Sequence, residues 1–140
     1  MTQPIYLVIG VPGSGKSWVC EQLTDKFEYV HHDGFIYLKQ PGAYLNAIME
    51  AIPTATKPLL IEAPFSISQT MDPLVKAGHK VIPVFIIEED KVVAERYSQR
   101  DKKPIPKGHL TRMQTYKQRA KEWDAFQGTS SEVFKYLQNV

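Results

Sequence analysis

The sequence contains little that could cross-link it covalently or hold it in a membrane. Cys20 is its one cysteine, so no disulfide can form within the chain, and a reducing compartment is favoured. No apolar run approaches the roughly 18 residues that a membrane-spanning helix needs, and the longest, residues 81–87, is interrupted by Pro83. The first ten residues lack the basic start and cleavage site of a secretory signal. We therefore expect a cytoplasmic protein without a membrane partner, in which Cys20 is a buried apolar residue.

Acidic residues are scarce in one part of the chain. Residues 91–121 hold ten lysines and arginines against two acidic residues, Glu95 and Asp101, so this segment has a formal charge of +8. Residues 1–90 carry −4 and residues 122–140 carry −2, which leaves a net charge of only +2. A solvated helix face would intersperse acidic partners among its basic residues. The segment therefore predicts a surface that faces phosphate or nucleic acid.

The chain also lacks internal repeats and low-complexity tracts, and its 140 residues suffice for one core but not for two. Apolar strands and helical segments alternate along it, which is typical of an α/β fold with a parallel sheet. The pattern predicts strands over 5–9, 28–32, 59–62 and 80–87, and helices over 16–27, 43–51, 68–77, 90–99 and 110–126, followed by a short last helix. Thr129 and Glu132 form a capping-box pattern for that last helix. Pro83 predicts that its strand lies at an edge or carries a bulge.

A complete phosphate-binding loop, GVPGSGKS, occupies residues 10–17 between the first strand and the first helix. The strand before the loop and the helix after it make phosphate binding possible, because backbone N–H groups and the helix N-terminus can surround an anion. Lys16 can reach the terminal phosphates, and the Ser17 hydroxyl suits Mg²⁺. We expect this loop to bind ATP through Gly10, Val11, Pro12, Gly13, Ser14, Gly15, Lys16, Ser17 and the adjoining Trp18.

Two acidic residues follow predicted strands, at the edge where open α/β sheets bind ligands. Asp33 follows the second strand and could act as a general base for a substrate hydroxyl, although Asp-Gly is also a common turn dipeptide. Glu62 ends the third strand and could hold Mg²⁺, bind substrate or make a structural hydrogen bond. His31 and His32 precede Asp33 and fit a core or surface role better than a catalytic one.

The basic segment is predicted to form a helical hairpin over about residues 91–121. Arg96 and Arg100 are four residues apart, so a helix places both on one face, where they could clamp a triphosphate and neutralise charge. Arg112 on the returning helix could join them. Pro104 and Pro106 exclude a helix over residues 102–108, and this tip would let the hairpin close as a lid that excludes water.

With these residues in place, the sequence resembles the P-loop kinase superfamily and, within it, the kinase domain of bacteriophage polynucleotide kinases. The resemblance lies in IGVPGSGKSWVCEQL, in VHHDGF, and in ERYSQRDKKPIP followed by LTRMQTYKQ. It implies that Asp33 is the catalytic aspartate and that Arg96 and Arg100 are lid arginines. It also implies a single P-loop kinase domain over residues 1–140, three-layer α/β/α with a parallel sheet of about five strands and a helical lid. The third strand departs from the family, because LLIEAPF lacks the aspartate that such kinases commonly place there.

The sequence thus predicts an ATP- and Mg²⁺-dependent kinase that phosphorylates a hydroxyl of a nucleic acid or nucleotide. The acceptor could be a 5′-hydroxyl end or a hydroxymethyl group on a modified DNA base. A nucleoside monophosphate kinase or small-metabolite kinase is an alternative, and a nucleotide-binding regulatory module without transfer activity is another. In the kinase hypothesis the catalytic residues are Lys16, Asp33, Arg96 and Arg100, and the metal ligands are Ser17 and Glu62. The oligomeric state is not predicted.

Overall fold

The structure is a computed structural model that describes residues 3–31, 42–63 and 67–140. Within these ranges it contains five strands and six α-helices. In chain order these are β1 (Ile5–Ile9), α1 (Lys16–Glu21), β2 (Glu28–Tyr29), α2 (Ala43–Ala51), a 3₁₀ turn (Ile52–Thr54), β3 (Leu59–Glu62), α3 (Ile67–Lys76), β4 (Val81–Ile86), α4 (Asp90–Asp101), α5 (Lys107–Glu122), β5 (Phe126–Gly128) and α6 (Ser130–Gln138). None of the helices in the described ranges is long and apolar enough to cross a bilayer.

All five strands join one parallel sheet in the order β2-β3-β1-β4-β5. β1 is central, with Ile5 opposite Leu59 of β3 on one side and Val81 of β4 on the other. The chain leaves β1 toward β2 and leaves β4 toward β5, so the direction of winding reverses between β1 and β4. Open α/β sheets bind ligands beyond the carboxyl ends of the strands at such a point. The predicted phosphate loop follows β1 there.

Helices cover both faces of the sheet, which confirms the predicted three-layer α/β/α fold. On one face α1 and α6 bury Val19, Cys20, Val133 and Leu137 against the sheet. On the other face α2 to α5 contribute Ile48, Leu74, Val93, Met113 and Tyr116 to the larger core cluster. Burial of such side chains on both sides of the sheet supplies the main stabilisation of the fold.

Pro83 lies in an internal strand, so the prediction of an edge strand or bulge was wrong. β4 pairs with β1 along residues 81–85, and with β5 from Val84 onward. The Ile87 N–H donates to the Gly128 carbonyl toward β5, and strand alternation directs the backbone of Pro83 to the same side. β5 begins its pairing only at Val84, so the missing N–H of Pro83 points where no strand needs it.

Several element boundaries agree with the sequence pattern. α2 spans residues 43–51 and β3 spans residues 59–62, as predicted. The capping box at the start of α6 is complete: the Glu132 N–H donates to Thr129 Oγ1, and the Thr129 N–H donates to Glu132 Oε1. These features depend on local chemistry, which a sequence pattern reports well.

The ends of two helices were predicted wrongly. α1 ends at Glu21 rather than at residue 27, because the chain turns through residues 22–26 so that the Phe27 ring is buried against Tyr6 at a centroid distance of 5.4 Å. α5 begins directly after its N-cap Pro106, so Lys107 and Gly108 are helical.

The fifth strand, β5, lies in a segment whose start was predicted to be the end of the last long helix. α5 ends at Glu122 rather than at residue 126, and Asp124 has a left-handed backbone with φ 51° that ends the helical path. Residues 126–128 then pair with β4 as β5. A strand of three residues is too short for its periodicity to be distinguished from the end of a helix.

Candidate functional site

The phosphate loop is shaped by glycines that no other residue could replace without strain. Gly13 and Gly15 have φ values of 88° and 103°, in the left-handed region. A Cβ at Gly13 would lie 2.9 Å from the Val93 carbonyl oxygen of α4, and one at Gly15 would lie 3.1 Å from the Ser130 Cβ. The loop is therefore packed closely between α4 and α6.

Polar groups inside the loop are arranged around its backbone. The Lys16 ammonium donates to the Gly10 carbonyl at 2.6 Å, which holds its positive charge at the start of the loop. The Ser14 hydroxyl is buried and has no hydrogen-bond partner among the described residues. A Cβ at Gly10 would collide with that hydroxyl, so Gly10 leaves room for it. The loop thus offers a cation and an unsatisfied hydroxyl together.

Ser17 and Glu62, the two predicted metal ligands, lie next to each other. The Ser17 hydroxyl donates to Glu62 Oε1 at 3.4 Å, and the Tyr29 hydroxyl donates to Glu62 Oε2 at 2.8 Å. Glu62 is only 3% exposed, and its backbone N–H donates to the Tyr44 hydroxyl. Burial, followed by the charge of Glu62, raises the pKa of Tyr29 well above its usual value. Tyr29 therefore stays protonated, and its hydroxyl positions the Glu62 carboxylate by donating a hydrogen bond to it.

Arg96 reaches the phosphate loop from α4. One of its guanidinium nitrogens, Nη1, donates to the Ser14 carbonyl at 3.1 Å and lies 3.6 Å from Glu88 Oε1. Glu88 in turn accepts hydrogen bonds from the Ser130 N–H and hydroxyl at 2.7 and 2.8 Å. Arg96 is thereby held against the loop from the side of α6.

Glu88 and Ser130 were not among the predicted site residues. Glu88 follows β4 at the same edge of the sheet where Glu62 ends β3, so the rule that singled out Glu62 could have found it. Ser130 had no comparable signal, because its position beside the loop depends on β5 bringing the start of α6 to this edge.

Arg100, predicted as the second lid arginine, has different contacts. Its guanidinium pairs with the carboxylate of Asp101 at 3.1 Å and lies 5.6 Å from the centre of the Tyr97 ring. The side chain is 58% exposed. Arg96 and Arg100 thus share a helix, but the structure brings only Arg96 to the phosphate loop, and Arg112 lines a cavity on α5 instead.

A pocket of about 400 Å³ adjoins the loop, lined by Gly15, Trp18, Arg96, Ser130 and Ser131. Trp18 is 49% exposed there, and its ring lies 5.9 Å from that of Phe134. An exposed aromatic face beside an arginine can stack on a planar group. Trp18, one of the predicted nucleotide-binding residues, therefore presents an exposed ring in this pocket.

Two remaining predictions concern Asp33 and Cys20. Asp33 and His32 lie outside the described residues, so the proposed base stays a prediction. His31 lies 3.3 Å from the Glu21 carboxylate near the surface. Cys20 is completely buried, as predicted, and burial raises the pKa of its thiol well above the usual value.

The oxygen groups near the loop suit Mg²⁺. Within the described ranges, no group of three or more His, Cys, Asp or Glu side chains could hold a metal ion by itself. Mg²⁺ in phosphate sites takes one or two protein oxygens and completes its shell with water and phosphate oxygens. The Ser17 hydroxyl and the Glu62 carboxylate match that donor set.

Comparisons with known proteins bear on the family and the fold. The model of the AAA domain family matches residues 1–91, which include the phosphate loop and the first four strands. The fold resembles a gluconokinase from Sinorhizobium meliloti 1021, with 23% identity, a TM-score of 0.50, and coverage of 80% of this chain and 73% of that one. It also resembles the tunicamycin resistance protein of Deinococcus radiodurans, with 19% identity, a TM-score of 0.66, and coverage of 96% and 92%.

No curated protein matches the chain. The narrower resemblance to bacteriophage polynucleotide kinases is not confirmed by these comparisons and stays a prediction. The family match covers more than half of the sequence and includes its phosphate loop. The chain therefore belongs to the AAA domain family and is a P-loop NTPase-type protein.

Proposed function

We propose that this protein is an ATP-dependent kinase that transfers the γ-phosphate of ATP to a hydroxyl group. The observation that carries the proposal is the convergence of Lys16, Arg96 and the Ser17–Glu62 pair on one glycine-rich loop. Phosphoryl transfer requires a phosphate cradle, cations for the developing charge and support for Mg²⁺, and these groups would supply all three. The likeness of the fold to a gluconokinase supports the same class of reaction.

Each residue has a separate role in the proposed transfer. Lys16 would exchange its bond to the Gly10 carbonyl for phosphate oxygens, and Arg96 would neutralise charge on the transferred group. Arg100 would assist by turning away from Asp101. Ser17 and Glu62 would hold Mg²⁺, which when bound draws phosphate oxygens together and offsets their charge.

Asp33 would accept the proton of the attacking hydroxyl. This assignment comes from the sequence, where Asp33 follows the second strand as Glu62 ends the third. A hydroxyl acceptor needs such a base, whereas a phosphate acceptor does not. The role of Asp33 therefore separates a hydroxyl kinase from a nucleoside monophosphate kinase.

The pocket beside the loop would hold the base of the nucleotide. Trp18 contributes an exposed ring and Arg96 a guanidinium to the lining of a 400 Å³ space. A planar base stacks well on such groups. ATP would then lie with its phosphates in the loop and its base against Trp18.

We further propose that residues 1–140 act as one domain whose lid is the tip of the α4–α5 hairpin. Val93 and Tyr97 of α4 and Met113 and Tyr116 of α5 are buried in the core. The helices themselves are therefore anchored, and closure would be limited to the segment around residues 101–108. Water exclusion by that segment would protect ATP from hydrolysis.

The acceptor is proposed to be a nucleic acid or nucleotide, in keeping with the +8 charge of residues 91–121. A small-metabolite kinase is the second candidate, favoured by the likeness to a gluconokinase. Both place the same ATP chemistry at the loop and differ only in the molecule that receives the phosphate.

The test offers labelled ATP and Mg²⁺ with a panel of acceptors: 5′-hydroxyl oligonucleotides, DNA with hydroxymethylated bases, nucleoside monophosphates and sugar acids. Label on an acceptor, lost in Lys16→Ala but kept in the surface variant Lys80→Ala, would support the proposal. Slow ATP hydrolysis with no labelled acceptor would indicate a regulatory module instead. Equal transfer by Lys16→Ala would exclude the phosphate loop as the site.

A further inference from the structure

A groove between α3 and α5 lies outside the nucleotide pocket. Two adjoining cavities of about 530 and 560 Å³ form it, and they share Ile67, Ser68 and Arg119. None of the residues discussed above as holding ATP or Mg²⁺ lines either cavity. The groove is therefore separate from the proposed ATP and Mg²⁺ site.

One end of the groove is basic and rich in hydroxyls. Arg112, Thr115 and Arg119 line it at helical spacing on α5, together with the buried Tyr116. No acidic side chain lines this cavity, and neither arginine forms an ion pair within the described part of the chain. Burial raises the pKa of Tyr116, and the Arg112 guanidinium opposes that shift, so the phenol stays a neutral donor beside the arginine. Two guanidinium groups with hydroxyl donors between them match the oxygens of a phosphate.

The other end of the groove is mainly apolar, with Asp72 and Lys76 as its charged lining residues. Met71, Val75 and Trp123 line it, and both Val75 and Trp123 are exposed, at 50% and 39%. The Arg119 guanidinium lies 5.4 Å from the centre of the Trp123 ring, so that ring fixes the arginine at the boundary between the two ends. A ligand with a phosphate and a planar, uncharged part would satisfy both ends at once.

A chain of side-chain contacts links the basic end to the phosphate loop. Gly108 lines it, and the next residue, His109, packs its ring 5.4 Å from that of Tyr97. Tyr97 in turn packs on the loop, where a Cβ at Gly13 would lie 3.3 Å from its own Cβ. On the opposite wall, Ile67 begins α3 five residues after Glu62. The groove is thus connected to the proposed transfer site through the rings of His109 and Tyr97 on one wall and through the start of α3 on the other.

We propose that this groove binds the phosphate acceptor, and that the acceptor is a nucleotide unit: Arg112 and Arg119 hold its phosphate, and Trp123 contacts its base. The proposal rests on the kinase function and names the substrate class of that site. The unit could come from a free mononucleotide or from the end of a strand, because both present the same phosphate and base.

The two tryptophans of the chain allow this groove to be observed separately from the ATP pocket. In the Trp18→Phe variant of residues 1–140, Trp123 is the only tryptophan. The phosphate loop is first saturated with Mg²⁺ and a non-hydrolysable ATP analogue. Trp123 fluorescence then follows titration with thymidine 3′-monophosphate, with uncharged thymidine, and with a short oligonucleotide that ends in the same nucleotide.

Thymidine 3′-monophosphate is expected to bind at least about tenfold more tightly than thymidine, because a hydrogen bond to a charged group is worth about a factor of ten or more. Arg112→Gln and Arg119→Gln should each weaken its binding about 10- to 100-fold, and Arg112→Lys should recover part of the loss. Lys117→Gln, an exposed change on the same helix outside the groove, should leave binding unchanged. Circular dichroism confirms that each variant is folded.

Equal affinity for thymidine and its phosphate, or unchanged binding in both arginine variants, would overturn the proposal. Whichever of the oligonucleotide and the mononucleotide binds more tightly identifies the source of the nucleotide unit, and both outcomes support the proposal. Because the measurement needs no transfer, its outcome is independent of the kinase test. Arginine-dependent binding without labelled product would show that the groove binds a nucleotide unit and would refute the kinase function. Transfer to a neutral acceptor whose KM is insensitive to Arg112→Gln would support the kinase function and refute the groove as the acceptor site.

Discussion

The Ser17 hydroxyl at the start of α1 lies 3.4 Å from the Glu62 carboxylate at the end of β3. The two residues are 45 positions apart in sequence and meet because β1 and β3 are parallel neighbours. A hydroxyl and a carboxylate held together at this edge suit Mg²⁺.

Replacement of Glu62 should therefore change the response to Mg²⁺. In Glu62→Gln we expect the Mg²⁺ concentration for half-maximal transfer to rise about 10- to 100-fold, the range found when a metal site loses a supporting group. Titration of transfer against Mg²⁺ measures the effect. Glu21→Gln, an exposed change on α1, is the matched control. An identical Mg²⁺ profile in Glu62→Gln and the wild type would assign Glu62 a structural role only.

The two arginines of α4 should differ in their contribution. Arg96→Gln removes a cation that already contacts the Ser14 carbonyl, so we expect kcat to fall by about 100-fold or more. Arg100→Gln removes an exposed guanidinium paired with Asp101, so we expect a loss of about tenfold or less. Steady-state kinetics of both variants checks the order. Equal losses would mean that the hairpin tip brings Arg100 to the phosphates during turnover.

Asp33 should matter only if the acceptor is a hydroxyl. With such an acceptor, loss of the general base in Asp33→Asn should lower kcat about 100-fold or more while ATP affinity is kept. The measurement compares kcat with calorimetric binding of ATP. Full activity of Asp33→Asn toward a nucleoside monophosphate would favour the alternative kinase class.

Two glycines with similar φ angles, Gly13 and Gly78, offer a matched test of the packing around the loop. Gly78 has φ 90° with open space at its Cβ position, so Gly78→Ala should cost only the left-handed strain of about 1–2 kcal/mol. Gly13→Ala adds a contact of 2.9 Å with the Val93 carbonyl, so we expect a further loss of about 1–3 kcal/mol together with weaker ATP binding. Urea unfolding of both variants measures the difference. Equal stabilities would show that the loop relaxes freely away from α4.

Stability should fall in alkaline solution. Burial raises the pKa of Cys20 well above its usual value of 9.0, so above that pH the unfolded chain loses a proton that the folded chain keeps. The folded state then binds more protons, and its free energy of unfolding falls with rising pH by at most about 1.4 kcal/mol per unit for this group. Urea unfolding at about pH 8 and about pH 10 checks this. Cys20→Ala should show a shallower fall, and an identical slope would assign the effect to the tyrosines.

Local signals determined much of this protein. The phosphate loop, α2, β3 and the capping box of α6 all follow from short runs of residues, because glycines, caps and apolar periodicity act within a few positions. The same runs predicted that Lys16, Ser17, Glu62 and Arg96 lie at one end of a parallel sheet.

The tertiary structure decided what depends on distant pairing. β5 exists because residues 126–128 pair with the side of β4 that β1 leaves open, and this pairing begins only after Pro83, so the missing N–H of Pro83 costs no strand hydrogen bond. The pairing of β5 also brings Ser130 to Glu88, and Glu88 lies beside Arg96. Arg96 is therefore held at the phosphate loop, whereas Arg100 pairs with Asp101. Such contacts join residues many positions apart, and their energies depend on where the whole sheet places each backbone. A local sequence pattern therefore cannot predict that placement.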